Sequence, residues 1–212
     1  MEFFSHIITA LAAYLLGSIP TGYLVAKAKG IDIRSVGSGN IGATNVFRIL
    51  GKKAGIFVLL ADALKGFAAV FLASKILPTM GISDSALEIH RVVAGVSAIL
   101  GHNYTCWLRF RGGKGIATTA GVLIALVPWA LLIVLAIWIL VFAISRYVSL
   151  ASIAAAFCLP FTVWFLPNSE LLIFITAILA LLAIYKHKAN IQRLLNGTEN
   201  RIGKKKSGET PK

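Results

Sequence analysis

The stretch GIATTAGVLIALVPWALLIVLAIWILVFAIS, residues 115–145, has 31 residues and no charged side chain. One membrane-spanning helix needs about 20 apolar residues, so this run exceeds what a single ordinary span requires. Pro128 lies inside the run and favours an interruption there, because proline lacks the backbone N–H that a helix interior uses. The run alone leaves two interpretations open: one long helix with a kink, or two shorter helices.

The composition of the whole chain indicates which class of protein contains this run. Of the 212 residues, 58% are hydrophobic and 14% are charged, and the mean hydropathy is +0.83. Soluble proteins carry about 25% charged residues, so a water-soluble globule is excluded. The chain has the composition of a small polytopic membrane protein.

The distribution of Lys and Arg decides between one helix and two. Besides 115–145, apolar runs lie at 3–25, 54–77, 91–108, 149–167 and 171–186. If the long run forms two helices, all Lys and Arg residues except Lys65, Lys75 and Arg91 fall outside the membrane on one side. Such an excess is typical of the cytoplasmic side. We therefore expect an all-α bundle of seven membrane helices, with the N-terminus outside and the C-terminus in the cytoplasm.

Two parts of the chain do not fit a regular membrane span, namely residues 115–127 and the C-terminal tail. A helix over 115–127 is only about 20 Å long, so we expect it to be short or partly re-entrant. We expect a membrane-embedded domain over 1–196 and a basic, disordered cytoplasmic tail over 197–212. Nucleic-acid binding does not fit this tail, because no aromatic residues alternate with its lysines.

The first polar motif is Gly37-Ser-Gly-Asn-Ile-Gly-Ala-Thr-Asn-Val-Phe-Arg48. Its glycines allow backbone N–H groups to approach an anion, and Arg48 adds a planar cation that can bind phosphate through two N–H groups. The motif is either a phosphate-binding loop or a flexible cytoplasmic loop. In the first interpretation the binding residues are Gly37, Ser38, Gly39, Asn40, Gly42, Thr44, Asn45 and Arg48.

The second motif is Gly101-His-Asn-Tyr104 followed by Phe110-Arg-Gly-Gly-Lys-Gly-Ile-Ala-Thr-Thr119. Lys114 is flanked by glycines and precedes a predicted helix, whose first N–H groups attract anions. We therefore interpret Lys114, with Gly112 and Gly113, as an anion site. The alternative is a lysine at the membrane interface whose side chain extends into water.

The third motif, Tyr185-Lys-His-Lys-Ala-Asn-Ile-Gln-Arg-Leu-Leu195, is predicted to continue the last helix into the cytoplasm. His187 and Asn190 are three residues apart and would share a face, although a histidine at a helix end is often only a surface residue. Ser149 and Ser152 lie one turn apart in the preceding run. Ser149 suits a helix cap, and Ser152 is the better candidate for binding a ligand.

Two charged residues, Asp62 and Lys65, lie inside an apolar run. Such residues are functional candidates, but their spacing also suits a buried ion pair. The sequence contains no cluster with the spacing of metal ligands, so we expect neither a metal nor another cofactor.

Three stretches carry a family resemblance: GSGNIGATNVFR (37–48), GHNY with FRGGKGIATT (101–119) and IYKHKANIQRLL (184–195). In this order they resemble the signature motifs of the bacterial acyl-phosphate-dependent glycerol-3-phosphate acyltransferases, the PlsY family. The resemblance covers residues 3–202. It implies a seven-helix enzyme of the bacterial inner membrane that acylates the 1-hydroxyl of glycerol 3-phosphate from acyl phosphate. Lysophosphatidic acid and phosphate are the products.

The resemblance also implies roles for individual residues. Ser38, Arg48, Lys114, His187 and Asn190 match positions that we take as catalytic, with Arg48 and Lys114 binding the substrate phosphates. His187 would either position the acceptor hydroxyl or act as its general base. The implied partners are the two substrates and membrane lipid. A transporter or channel for an organic phosphate is the alternative, but it would place its site near the midplane between repeats, and the sequence shows no repeat.

Overall fold

The computed structural model describes residues 2–203, with side chains from residue 4 onward. Within these residues it contains ten α-helices, two short 3₁₀ helices and no β-strand, as expected from the composition. The chain divides into two compact units, Met1–Leu131 and Leu132–Lys212.

The helices are numbered in chain order. Unit 1 contains α1 (Glu2–Ser18), α2 (Thr21–Lys27), α3 (Ala43–Leu50), α4 (Lys52–Ile76), α5 (Asp84–Asn103) and α6 (Ile116–Leu126), with 3₁₀ helices at Pro78–Met80 and Cys106–Leu108. α7 (Pro128–Ser145) begins at the end of unit 1, and unit 2 continues with α8 (Val148–Phe165), α9 (Glu170–Lys186) and α10 (Lys188–Leu195).

Small residues bring the helices of unit 1 into backbone contact. A side chain at Gly66 would overlap the carbonyl group of Thr118, and one at Gly121 would overlap that of Ala63, so α4 and α6 touch along their backbones. Gly17 provides the same close approach between α1 and α5. Such packing is typical of membrane helices, which associate through van der Waals contact rather than by excluding water.

The apolar run at 3–25 forms two helices rather than one, because Pro20 interrupts it. The interruption leaves two carbonyl groups without their usual helical partners. The carbonyl of Ser18 accepts a hydrogen bond from Thr105 Oγ1 at 2.6 Å, and that of Ile19 accepts one from Lys65 Nζ at 2.8 Å. Side chains of unit 1 therefore satisfy both groups inside the protein.

The run at 115–145 is divided at Val127, which confirms the prediction of two helices. The first of them, α6, has 11 residues and is too short to cross the hydrocarbon core of a membrane. Near its C-terminal end, the carbonyl of Ala125 accepts a hydrogen bond from the Arg91 guanidinium at 2.7 Å. The end of this short helix is thus stabilised by a cation from α5.

The predicted number of seven membrane helices is not confirmed. α6 is short, and α5 begins with the charged residues Asp84, Glu88 and Arg91. Four segments of the described chain are long and apolar enough to span a membrane, which makes the protein multi-pass: Phe4–Lys27, Lys52–Met80, Pro128–Ser145 and Val148–Phe165. A fifth is present if α9 and α10 form one bent span.

The predicted tail at 197–212 lies outside the described residues from 204 onward. Residues 197–203 are described, and they make hydrogen bonds within unit 2. The backbone N–H of Ile202 donates to the carbonyl of Arg146, and that of Glu199 donates to the carbonyl of Arg193.

Candidate functional site

The loop of the first motif is organised around the buried side chain of Asn45. Its Oδ1 accepts a hydrogen bond from the backbone N–H of Ser38 at 2.9 Å. Its Nδ2 donates to the carbonyls of Ile33, Val36 and Asn40, at 3.3, 3.1 and 2.9 Å. The predicted binding residue Asn45 thus holds the two ends of the loop together.

The other predicted binding residues of the first motif are more open to solvent. Gly37 and Gly39 have φ values of 62° and 69°, a conformation that glycine adopts without strain. The Ser38, Thr44 and Arg48 side chains are exposed, with Arg48 in the last turn of α3. The motif therefore presents two hydroxyl groups and a guanidinium group to its surroundings.

An ion pair lies next to this loop. The Arg34 guanidinium donates to both carboxylate oxygens of Asp32, through Nε at 2.9 Å and Nη2 at 2.7 Å. This side-chain hydrogen bonding, together with the bond from the Arg34 backbone N–H, lowers the pKa of Asp32 to about 2. Asp32 is therefore a carboxylate at neutral pH and does not serve as a proton donor there.

A cleft of about 420 Å³ opens beside the pair. It is lined by Asp32, Arg34, Ser35, Gly39, Ile41, Arg111 and Gly112. Gly39 belongs to the first motif and Gly112 to the second, so two of the predicted phosphate-binding segments face one space. Arg34 and Arg111 were not among the predicted site residues, although Arg34 lies three residues before the first motif and Arg111 lies within the second.

The loop of the second motif is attached to the C-terminal end of α5. The backbone N–H of Gly112 donates to the carbonyl of Asn103 at 3.2 Å, and that of Gly113 donates to the carbonyl of His102 at 3.0 Å. Lys114 follows as a half-buried residue, and Gly115, at φ 83°, leads into α6. The predicted helix start immediately after Lys114 is confirmed.

Beneath this loop, Asp62 and Lys65 form the predicted buried ion pair, with Lys65 Nζ 2.8 Å from Asp62 Oδ1. The side chains are 2% and 6% exposed. His102 Nδ1 lies 3.6 Å from the same carboxylate oxygen.

In unit 2, the last apolar run does not continue as one helix through the third motif. α9 and α10 meet at an angle of 56°, and His187 is the residue between them. The continuous helix predicted there is wrong, because the His187 backbone leaves the helical conformation. The N–H of Asn190 nevertheless donates to the carbonyl of His187 at 2.8 Å, so the two residues stay in adjacent positions.

The predicted site residue Asn190 and Ser149, which was predicted only as a helix cap, both contact a side chain that was not among the predicted site residues. The carboxylate of Glu199 accepts hydrogen bonds from Ser149 Oγ at 2.9 Å, Asn190 Nδ2 at 2.8 Å and Arg193 Nε at 2.7 Å. Burial alone would raise the pKa of Glu199, but these three donors outweigh it, and the pKa is lowered. One signal was available: Glu199 is the only carboxylate between residues 171 and 203.

Ser152 is buried in the same unit. Its hydroxyl group donates to the carbonyl of Val148 at 2.8 Å and accepts a hydrogen bond from Trp138 Nε1 at 3.1 Å. Among the described residues, no three His, Cys, Asp or Glu side chains form a group that would bind a metal ion.

Comparison with known proteins places this geometry in a family. A family model described as glycerol-3-phosphate acyltransferase matches residues 7–197, a range that includes all three motifs. The chain belongs to the glycerol-3-phosphate acyltransferase family. The PlsY resemblance of the sequence is thereby confirmed.

Individual relatives match over nearly their whole length. The chain is 50% identical to a glycerol-3-phosphate acyltransferase of Geotalea daltonii, covering 92% of this chain and 97% of the relative. It is 48% identical to one of Clostridioides difficile, covering 97% and 100%.

Two solved structures share the fold. A crystal structure of PlsY, an integral membrane glycerol 3-phosphate acyltransferase, in its glycerol 3-phosphate form matches with a TM-score of 0.84 at 42% identity, covering 94% of this chain and 96% of the other. The lysophosphatidic acid form matches with a TM-score of 0.82 at 41% identity, with the same coverage. The family fold is therefore that of an integral membrane protein.

Proposed function

We propose that this protein transfers an acyl group from acyl phosphate to the 1-hydroxyl of glycerol 3-phosphate, giving lysophosphatidic acid and inorganic phosphate. The observation that carries the proposal is the cleft of unit 1, where Gly39 and Gly112 of two motifs lie beside Arg34 and Arg111. Guanidinium groups are suited to phosphate; that of Arg34 also holds the Asp32 carboxylate, which lines the same cleft. Family membership, and the two ligand forms of the related PlsY structure, support the acceptor and the product.

Acyl phosphate is the acyl donor in this proposal because of its chemistry. None of the four histidines is followed five residues later by Asp, so the chain lacks the His–Asp pair with which other acyltransferases activate a hydroxyl group. Acyl phosphate is a mixed anhydride, and its leaving group is phosphate. The acceptor oxygen attacks the acyl carbon, the bond from that carbon to the phosphate oxygen breaks, and the hydroxyl proton passes to a phosphate oxygen. The protein then mainly orients the reactants and stabilises charge.

The catalytic residues in this proposal are Ser38, Arg48, Lys114, His187 and Asn190. Arg48 and Lys114 neutralise the two phosphate groups, whose mutual repulsion otherwise opposes their approach. Binding is completed by the following residues: Gly37, Gly39, Asn40, Gly42, Thr44, Asn45, Gly112, Gly113 and Ser152. The N–H groups of Gly39, Gly42, Gly112 and Gly113 donate inside the protein, so these glycines contribute by letting the backbone come close to the ligand. Asn45 contributes through the shape of the loop, because its own amide is used within it.

We assign His187 to positioning rather than to proton abstraction. Its Nδ1 lies 2.7 Å from the carbonyl of Ala183, which places the proton of the neutral ring on Nδ1. The ring then helps to orient the acceptor and does not take its proton. Because the proton goes to substrate phosphate, His187→Gln should keep most of the activity. Loss of activity with a changed pH–rate profile would instead establish His187 as the base.

We also propose how many times the chain crosses the membrane and on which side its termini lie. The protein has seven membrane segments in the bacterial inner membrane, with its N-terminus outside and its C-terminus and active site in the cytoplasm. The concentration of Lys and Arg in the segments around the motifs supports this orientation.

The test is a purified-protein assay that follows lysophosphatidate from glycerol 3-phosphate with palmitoyl phosphate or palmitoyl-CoA as donor. We expect lysophosphatidate to form with palmitoyl phosphate and not with palmitoyl-CoA. Lys114→Ala should lose several hundredfold in rate, about 3–4 kcal/mol, as for other oriented groups that stabilise an anion. Lys75→Ala, which removes an exposed lysine in the last turn of α4, is the matched control. Product from the thioester alone would overturn the donor, and absence of product with both would overturn the activity.

A further inference from the structure

Unit 1 contains a buried histidine that the proposed reaction does not use. His102, near the C-terminal end of α5, is 5% exposed, and its carbonyl accepts the hydrogen bond from the N–H of Gly113. Its imidazole Nε2 occupies the position that a side chain at residue 113 would need. Both the backbone and the ring of His102 therefore contact the residue that precedes Lys114.

The opposite nitrogen of the ring faces a carboxylate that is itself fixed in place. His102 Nδ1 lies 3.6 Å from Asp62 Oδ1, and Lys65 Nζ lies 2.8 Å from the same oxygen. Lys65 Nζ also donates to the carbonyl of Ile19 at 2.8 Å. Neighbouring side chains thus lead from the interruption between α1 and α2, through Lys65, Asp62 and His102, to Gly113. The approach of His102 to Asp62 is longer than a hydrogen bond, and the ring meets Gly113 by steric contact.

Burying the charges of Asp62 and Lys65 inside a membrane protein costs desolvation free energy. A buried ion pair often stabilises a fold no more than apolar residues of the same volume, so its presence points to something besides stability. Here the charges of Asp62 and Lys65 compensate each other, and the carboxylate remains available to orient the imidazole. An oriented imidazole is a flat, rigid surface directly under a loop whose glycines give it little stiffness of its own.

We propose that His102 is a positioning residue for Lys114, and that Asp62 holds the imidazole in the orientation this requires. The inference rests on the proposed function only in taking Lys114 as a phosphate-binding cation. By filling the space at Gly113, the ring fixes the loop in one conformation and gives the Lys114 backbone a defined place. A loop without this support samples several conformations, and the cation spends less time where it meets phosphate.

A purely structural role predicts something different. If His102 only held α4 and α5 together, its loss would lower Tm and the amount of active protein, and the KM of the remaining enzyme would not change. His90 provides the matched control, because it is a fully buried histidine on the same helix whose ring contacts Ser5 Oγ and the Ala86 carbonyl.

The first experiment compares kcat and both KM values of the wild type, His102→Ala, His90→Ala and Lys114→Arg. We expect His102→Ala to raise the same KM that Lys114→Arg raises, by roughly tenfold or more, since small displacements of a binding group have large effects. His90→Ala should lower Tm without changing either KM. Unchanged KM values in His102→Ala, with only Tm lowered, would overturn the inference.

A second comparison remains informative even if His102→Ala folds poorly. Gly113→Ala places a methyl group against the imidazole, whereas the same change in a His102→Ala background finds that space open. We expect the two substitutions to be strongly non-additive in KM, with Gly113→Ala adding little once the ring is gone. If His102→Ala folds poorly and the additional change Gly113→Ala restores folding, that result also supports the contact between the His102 ring and residue 113. Effects of the two changes that simply add would contradict the proposed contact.

A binding measurement separates this inference from the acyl transfer reaction. Inorganic phosphate serves as the probe, and the readout is the rise in Tm that it causes. The rise should be present in the wild type and in His90→Ala and be lost in Lys114→Ala and His102→Ala. If the wild type forms no lysophosphatidate and this pattern persists, the reaction is wrong and the inference stands. Equal rises in the wild type and His102→Ala, or no rise in the wild type, overturn the inference.

Discussion

At the scale of single residues, a few buried polar side chains fix the conformation of exposed loops. The Asn45 amide makes four hydrogen bonds to the backbone of residues 33–40. Its place in a glycine-rich motif predicted Asn45 as a binding residue. Its burial, and hence its structural contribution, depends on contacts that the motif does not reveal.

Asn45→Asp tests this role. A carboxylate accepts hydrogen bonds but cannot donate to the carbonyls of Ile33, Val36 and Asn40, so three acceptors would face a negative charge. Each polar group left unsatisfied costs about 1–3 kcal/mol, and we expect Tm and activity to fall together. Asn196→Asp, at an exposed position after α10, should leave both unchanged. A variant of residue 45 that unfolds at the wild-type temperature would contradict the role.

Lys65→Met tests the buried ion pair. Removing one partner leaves Asp62 charged and uncompensated and removes one of the two hydrogen bonds to the Ile19 carbonyl, which should cost about 3–5 kcal/mol of unfolding free energy. The double variant Asp62→Asn/Lys65→Met should be more stable than Lys65→Met alone, because it contains no unpaired charge. Thermal unfolding in detergent measures both, and a double variant less stable than the single one would argue against the pairing.

At the scale of helices, the apolar runs of the sequence were located correctly, but two of their interruptions were not. The interruption near Pro128 was predicted because the run was too long for one helix. The run interrupted at Pro20 and the run that ends before His187 have ordinary lengths for one helix. Hydropathy is averaged over many residues, so it does not show a bend at a single residue. The donors that make the Pro20 interruption tolerable, Thr105 and Lys65, lie far away in the sequence.

The segment after α10 is held in unit 2 by Glu199, whose side chain is 7% exposed, and this gives a pH-dependent prediction. The pKa of Glu199 is lowered from its ordinary value of 4.5, so its contribution to stability is complete above that pH and is lost as the pH falls through the folded-state pKa. Glu199→Gln should therefore have a lower Tm than the wild type at pH 7, and the difference should shrink below pH 4.5.

The matched control is Glu170→Gln, which neutralises an exposed carboxylate in the first turn of α9. Its Tm should stay close to that of the wild type at pH 7. A Tm difference between Glu199→Gln and the wild type that is the same at pH 4 and pH 7 would show that the charge of Glu199 is not responsible.

Backbone contact between α4 and α6 is tested by Gly66→Ala. The added methyl group meets the Thr118 carbonyl, so the helices must separate, at a cost of about 1–3 kcal/mol. Gly81→Ala is the comparison: Gly81 has φ 80° with no atom near its missing side chain, so only backbone strain of about 1 kcal/mol is added. Thermal unfolding should rank Gly66→Ala as the less stable variant, and the reverse order would argue against close packing.

At the scale of the whole molecule, composition and charge predicted a multi-pass all-α membrane protein, and the motifs predicted the family. They did not predict Arg34 and Arg111 beside the cleft, or the role of Glu199, because a side chain's contacts depend on the packing of distant segments. The number of spans stays a prediction, since hydropathy cannot distinguish a short helix such as α6 from half of a membrane hairpin.

Single cysteines test the proposed arrangement in the membrane. With Cys106 and Cys158 replaced by Ala, we expect Thr79→Cys to react with a membrane-impermeant thiol reagent in intact cells. Ser35→Cys and Asn200→Cys should react only after the cells are permeabilised. All three positions are exposed. Reaction of residues 35 and 200 from opposite sides would refute the proposed topology.

The interruption at Pro20 has a consequence for how the protein is made. A ribosome synthesises Ser18 and Ile19 well before their hydrogen-bond donors, since Lys65 follows Ile19 by 46 residues and Thr105 follows Ser18 by 87. The Ile19 carbonyl can meanwhile use the backbone N–H of Thr21, but water or the insertion machinery must solvate the Ser18 carbonyl until Thr105 has been made. The first pair of helices therefore reaches its final conformation only when about half of the chain has been translated.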